Sequence, residues 1–180
     1  MKIGIFGCTA DPFHIADTAI VAEASKKLDK VFIVPTVCNY YRKNKRTLFT
    51  FEERVRIIMD FITGLPANVA IDTVESDKNS EWRSINTVEY FKNKFPNDKL
   101  YFIMGEDSYN EFETWFRFDD ILSMCRLMVI NRSKDFEPNK YNPEVIHIKG
   151  FENVSSSKIR EKLVSELVDM YLSDKEYYCV

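Results

Sequence analysis

Ile3-Gly4-Ile5-Phe6-Gly7-Cys8-Thr9-Ala10-Asp11-Pro12-Phe13-His14-Ile15-Ala16-Asp17 reads as a short apolar strand, a tight loop and the start of a helix. The strand predicted over Ile3–Phe6 stops at Gly7, where a backbone without a side chain lets a ligand come close. Pro12 stands just before a helix start, a position where a missing N–H is harmless. The spacing places His14 in the first helical turn, where backbone N–H groups and the helix dipole favour an anion. Asp17, three residues on, shares its helix face. The chain carries no G-x-x-x-x-G-K, so this is not a Walker loop. Taken alone, a histidine near a helix start is more often a cap than a catalyst.

Outward from this stretch, apolar runs and helical patterns alternate. Ala19, Ile20, Ala22 and Leu28 give Ile15–Leu28 a helical spacing, and Val31–Val34 is a buried strand stopped by Pro35. A polar, basic loop runs to Thr47. Thr50 followed by Glu53 is a capping-box signature for a helix to about Ile62, ended by Gly64-Leu65-Pro66. Val69–Val74 is a predicted strand, Ile85–Lys94 a helix, and Leu100–Met104 a strand ending at Gly105. Asp119–Met124 is a short helix, with strands over Leu127–Ile130 and Val145–Ile148. A closing helix runs from Ser156 to about Leu172, with a break expected near Ser165. Short, wholly apolar strands between helices predict an α/β fold, a Rossmann-like doubly wound parallel sheet covered on both faces. In such a sheet ligands bind at the carboxyl ends of the strands, here after Phe6, Val34, Met104 and Ile148.

A length of 180 residues suits a single domain, residues 1–180, that folds without disulfide or metal staples. The hydrophobic share of 45% and charged share of 29% are those of a soluble globular chain. The cysteines, Cys8, Cys38, Cys125 and Cys179, form no C-x-x-C pair and the histidines His14 and His147 lie far apart, which argues against a zinc site. They read as reduced thiols of a cytoplasmic protein. Met1–Gly7 is too short for a signal or membrane helix, so no membrane partner is expected. The net charge of −3 argues against nucleic acid as a partner. A phosphate site must be built locally. One basic run exists, Arg42, Lys43, Lys45 and Arg46, and by itself it reads as a solvated loop.

Residues Gly7 to Asp17 resemble the G-G-[ST]-F-D-P-x-H-x-G-H signature of nucleotidylyltransferases. Val154-Ser155-Ser156-Ser157-Lys158-Ile159-Arg160 resembles their second signature, I-S-S-[ST]-x-I-R. Between them, Phe102-Ile103-Met104-Gly105-Glu106-Asp107-Ser108 and Phe112-Glu113-Thr114-Trp115-Phe116 resemble the G-x-D-S…F-x-T-W segment of nicotinate mononucleotide adenylyltransferases. The motifs occur in family order over nearly the whole chain, and the Trp segment favours the pyridine-nucleotide branch over the pantetheine-phosphate and cytidylyl branches.

The resemblance implies transfer of AMP from ATP to a pyridine mononucleotide, nicotinate mononucleotide preferred, with pyrophosphate release in NAD biosynthesis. It also implies Mg²⁺ as cofactor, held mainly by substrate and waters, and leaves a homo-oligomer open. His14 is expected to contact the ATP phosphates, with Gly7, Cys8 and Thr9 supplying backbone and hydroxyl donors. Gly105 and Asp107 are expected on the adenosine side. Ser156, Ser157 and Arg160 are expected to hold the β- and γ-phosphates at a second helix start. Trp115 is expected to stack on the pyridine ring, Thr87 and Ser84 to line its pocket, and Lys43, or the nearly equivalent Arg42, to reach the mononucleotide phosphate. Blander readings stand beside these: Asp107 as a helix-start acid, Trp115 as core, and Ser155–Ser157 as a capping cluster.

Three positions depart from the first signature. Ala10 replaces Phe, Ala16 replaces Gly, and Asp17 replaces the second histidine, which stabilises charge on the α-phosphate in the family. A carboxylate there would repel it, by about 4 kcal/mol for unit charges about 4 Å apart at an effective permittivity near 20. Three readings of Asp17 stay open: a weakened enzyme, a nucleotide-binding or sensor protein with little turnover, and an enzyme in which Asp17 holds a metal ion. Transfer of another nucleotidyl group, such as CMP, is a further alternative.

Overall fold

The computed structural model describes residues 1–37, 47–78, 82–131, 136, 138, 140–151 and 153–176. Six parallel strands form one sheet: β1 (Lys2–Cys8), β2 (Lys30–Pro35), β3 (Val69–Ile71), β4 (Lys99–Gly105), β5 (Cys125–Asn131) and β6 (Glu144–His147). Their order is β3-β2-β1-β4-β5-β6, so the winding reverses between β1 and β4. That is the crevice where ligands bind in an open α/β sheet.

The strands are buried on both faces because nearly every residue in them is apolar. Phe6, Ile33, Ile103 and Met128 face one layer, where helices α1 (Ile15–Ser25) and α2 (Phe51–Ile62) insert Ile20, Val21 and Ile58. Ile5, Phe32, Phe102 and Val129 face the other, covered by α3 (Ser84–Lys94) and α5 (Phe118–Met124) through Ile85, Val88, Phe91 and Ile121. Gly4 marks the closest approach. A Cβ there would lie 2.6 Å from Leu28 Cδ1 and 2.9 Å from Ile103 Cδ1, so any larger residue would force those side-chain ends to shift. Among the described residues no helix is long and apolar enough to cross a membrane.

The observed elements differ from the sequence reading at several ends. The β3 strand stops at Ile71 rather than Val74 because Asp72 Oδ1 accepts the Val74 N–H at 3.1 Å and turns the chain. Helix α1 ends at Ser25, and Leu28 instead donates to Ala24 O at the close of a turn. A five-residue helix α4 (Glu106–Asn110) and a 3₁₀ turn (Phe112–Thr114) follow β4, too short for a periodic signal. The last helix, α6 (Ser156–Glu176), runs through Ser165 without a break.

Candidate active site

The β1–α1 loop crosses the carboxyl end of the sheet, and its shape is set by buried polar groups. Asp11, 3% exposed, accepts backbone N–H bonds from Leu48 at 3.0 and 3.1 Å and from Phe49 at 3.0 Å. Arg160 Nη1 donates to the Asp11 carbonyl and lies 3.4 Å from its carboxylate, while Arg160 Nη2 donates to Ser157 Oγ at 2.9 Å. Ser156 Oγ donates to the Pro12 carbonyl at 3.0 Å. The β1 loop and the start of α6 therefore form one wall. Ala10 takes the left-handed conformation at φ 51° while buried, a shape that favours glycine or asparagine.

His14 is the N-cap of α1, in extended conformation, and not a residue of its first turn as the spacing suggested. Its Nδ1 accepts the Asp17 N–H at 3.3 Å, and the Asp17 carboxylate accepts the His14 N–H at 3.1 Å, a reciprocal capping box. The same carboxylate oxygen lies 3.1 Å from Nδ1, a pair that is ionic when the imidazole is protonated. Asp17 thus has a structural task beside any chemical one. It is the third helical residue, where an acid closes the cap and meets the positive helix end.

Behind this loop lies a buried charged cluster. Arg54, 2% exposed on the inner face of α2, donates from Nη1 to Thr9 O at 2.5 Å and to Thr36 O at 2.8 Å, tying the ends of β1 and β2 together. Its Nε and the nearby Thr36 Oγ1 are the buried side-chain polar atoms without a partner among the described residues. Burial lowers the Arg54 guanidinium from its ordinary range, an effect countered by Asp11 and other negative neighbours. Glu75 accepts from Thr87 Oγ1 at 2.8 Å and from the Val37 N–H at 3.1 Å. Burial holds its carboxyl above the usual range against those bonds and Arg54. Thr87 Oγ1 in turn accepts from Trp82 Nε1 at 2.9 Å, so Thr87 braces the wall with both its hydrogen-bonding capacities. Burial, reinforced by Asp17, pushes the Cys8 thiol well above its ordinary range, which leaves it a neutral thiol.

Across the crevice, Gly105 caps α4, and a Cβ there would touch nothing within 4 Å. Asp107 is exposed in the first turn of α4. Trp115 packs edge-on against Phe102 at 5.7 Å and tilted against Phe112 at 5.4 Å, yet stays half-buried. Its core and site readings are therefore compatible.

The residues expected to bind substrate or act in catalysis, Gly7, Cys8, Thr9, His14, Asp17, Ser84, Thr87, Gly105, Asp107, Trp115, Ser156, Ser157 and Arg160, line a single cavity of about 780 Å³, while Lys43 and its alternative Arg42 lie outside the described residues. Ser84 and Thr87 stand on the same wall stretch as Trp82 and Arg83. Asp11, Arg54, Glu75 and Arg83 were missed. Asp11 sits inside the quoted signature. Arg54 breaks the apolar face that Ile58 continues one turn later, a sign of a paired buried charge. For Glu75 and Arg83 the sequence offered no signal. Among the described residues no group of three or more His, Cys, Asp or Glu side chains is placed to cage a metal ion.

Residues 5–162 match the family described as Cytidylyltransferase-like. The chain is 34% identical over 136 residues to a protein of Aliarcobacter butzleri named probable nicotinate-nucleotide adenylyltransferase, covering 74% of this chain and 72% of that one. It is 28% identical over 173 residues to the nicotinate-nucleotide adenylyltransferase of Bacillus subtilis, covering 95% of this chain and 90% of the relative. The solved structure of Plasmodium falciparum nicotinic acid mononucleotide adenylyltransferase complexed with APC superposes with a TM-score of 0.73 at 20% identity, over 89% of this chain and 82% of that one, a likeness of fold.

Proposed function

The chain belongs to the cytidylyltransferase-like family, and from that premise we propose that it transfers AMP from ATP to nicotinate mononucleotide in NAD biosynthesis, releasing pyrophosphate. The observation that carries this reading is the meeting of the two signatures on one cavity wall, through Arg160 with Asp11 and Ser156 with Pro12, opposite a half-buried Trp115. The setting is the cytoplasm, where ATP is supplied.

In the reaction a phosphate oxygen of the mononucleotide forms a bond to the α-phosphorus, and the bond from that phosphorus to the β-phosphate oxygen breaks. The electron pair leaves with pyrophosphate. No covalent intermediate with the protein is needed, so its work is positioning and charge stabilisation. His14, with Nδ1 occupied by the Asp17 N–H, presents Nε2–H as a donor for a phosphate oxygen. Arg160 and the N–H groups opening α6 receive the leaving pyrophosphate. Trp115, pinned by Phe102 and Phe112, offers a rigid face to the pyridine ring. Cys8 acts through its backbone, since its thiol is held neutral.

Magnesium would be carried by the triphosphate and its own waters, since it keeps most of its hydration. When bound, the ion neutralises charge on the phosphates. Asp17 also sets a negative charge beside the reacting phosphate, which makes this a slow enzyme that binds its ligands normally.

The test is pyrophosphate release with ATP or CTP and with nicotinate or nicotinamide mononucleotide, beside calorimetry of each ligand. Release with ATP and nicotinate mononucleotide is the expected result. Binding without release from any pair would establish the sensor reading instead, and release with CTP alone would move the chain to another nucleotidyl transfer.

A further inference from the structure

Strands β1 and β2 pair in register up to Cys8 and Pro35, and a bond from the Thr36 N–H to the Cys8 carbonyl at 2.9 Å closes the ladder. Thr9 and Thr36 would form the next pair. They part instead, and both their carbonyls accept from one nitrogen, Arg54 Nη1, at 2.5 and 2.8 Å. Thr9 and Thr36 line the cavity. Arg54 stands behind them on α2, 2% exposed, with its guanidinium carbon 5.3 Å from the centre of the Phe51 ring. The acids that act on it, Asp11, Glu52 and Glu75, lie on the β1 loop, on its own helix and beyond β3. Asp11 is engaged by Arg160 and Glu75 by Thr87, so the short bonds of the guanidinium go to the two carbonyls. An apolar side chain here would continue the face of Ile58, and replacing a buried charge in that way is often neutral for stability. A buried cation whose Nε has no partner is costly to keep, so packing alone does not account for it.

We infer that Arg54 is a positioning residue for adenylyl transfer: by holding Thr9 and Thr36 at a fixed separation, it sets the distance between the ATP side of the cavity and the mononucleotide side. This rests on the proposed function. Thr9 belongs to the loop proposed to face ATP. Thr36 leads to Val37, whose N–H goes to Glu75 at 3.1 Å, and Glu75 accepts from Thr87 Oγ1 at 2.8 Å on the wall proposed for the pyridine. The link therefore joins both substrate sides from behind the cavity. Asp11 fastens the entry of α2 to the same loop through Leu48 and Phe49, so the helix that carries Arg54 is itself held. In-line attack needs the reacting atoms about 3–3.5 Å apart, and a misplacement of about 1 Å can cost about 100-fold in rate.

The experiment compares the parent with Arg54→Met, Arg54→Lys and Glu75→Gln. It measures pyrophosphate release with ATP and nicotinate mononucleotide, calorimetric binding of each ligand alone, and melting, with kinetics run where each variant is folded. Methionine has no donor. Lysine keeps the charge and ends one bond short of Nη1. Glutamine offers one acceptor oxygen where Glu75 uses two, and so cuts the same link at its far end. The expected result for Arg54→Met is a fall in kcat of roughly 10- to 100-fold, with the affinity for each ligand alone kept within about threefold. Arg54→Lys should lose less, and Glu75→Gln should lower kcat with ATP affinity kept. A lower melting temperature with parental kcat in the folded variants would make Arg54 purely structural and overturn the inference. A loss confined to the affinity for one ligand would assign Arg54 to that ligand's subsite and also overturn it. Should Arg54→Met not fold, the other two variants decide, and parental kcat in both overturns the inference while the proposed function stands. A parent that binds both ligands and releases no pyrophosphate removes the proposed function, and this inference with it.

Discussion

Arg160 reaches across 149 positions of sequence to hold Asp11 by both its backbone carbonyl and its carboxylate. Asp11 itself gathers the backbone of Leu48 and Phe49, so one buried acid links the β1 loop, the entry to α2 and the start of α6. The groups proposed to hold phosphate are thereby fixed to one another before any ligand arrives, as electrostatic preorganisation requires.

Arg160→Ala should weaken ATP binding far more than mononucleotide binding, because the guanidinium belongs to the pyrophosphate side. It should also lower stability by about 1–3 kcal/mol, since a buried acid loses its charged partner. Calorimetry with each ligand, beside chemical denaturation, measures both effects. Equal losses of affinity for the two ligands would contradict the assignment.

Trp115→Ala should raise the KM for the mononucleotide about tenfold or more and leave ATP affinity nearly unchanged. Its contacts with Phe102 and Phe112 imply a stability loss of about 3 kcal/mol as well. Trp115→Phe separates the two, keeping most packing and a smaller stacking face. A folded Ala variant with unaltered mononucleotide kinetics would sink the stacking role.

Asp17→His should raise kcat by about 100-fold with little change in KM, because the gain lies in the transition state. It should lower stability by about 0.5–2 kcal/mol, since the capping box loses the oxygen that accepts the His14 N–H. Steady-state kinetics across a Mg²⁺ titration distinguishes the alternatives. A fall in kcat with altered ion dependence indicates metal holding by Asp17, and negligible turnover in both forms indicates a binding protein.

Glu75 supplies a pH signature. Its carboxyl is raised by burial, so the folded state keeps the proton at pH values where the unfolded chain has lost it. The stability this provides is full below the ordinary value of 4.5 and is lost as pH rises through the higher folded value. Glu75→Gln cannot titrate, so its stability relative to the parent should climb over that interval and level off above it. Melting temperatures of both proteins from pH 4 upward, in steps of about half a unit, provide the check. A difference that shrinks with rising pH would refute the assignment.

Much of this architecture was legible because the strands are buried on both faces and carry unbroken apolar runs, with Pro35 and Gly105 closing β2 and β4, although Gly7 does not end β1, which continues through it to Cys8. The cavity walls were legible where residues lie in contiguous motifs. What stayed hidden is long-range pairing. Arg54 reads as one more charge on α2 until Thr9 and Thr36 are seen to converge on it. His14 moved from the first turn to the cap because Asp17 competes for its backbone N–H, a local hydrogen bond that spacing alone does not reveal.

The contact between Asp11 and Arg160 also sets an order of events during synthesis. The β1 loop emerges early and the start of α6 much later, so the phosphate wall cannot close until the residues that open α6 have left the ribosome. Closing so long a loop is entropically slow to nucleate and follows the more local β1–β2 pairing. A nascent chain with its sheet already formed would therefore be blind to ATP, and acquisition of nucleotide affinity would time the last step of folding.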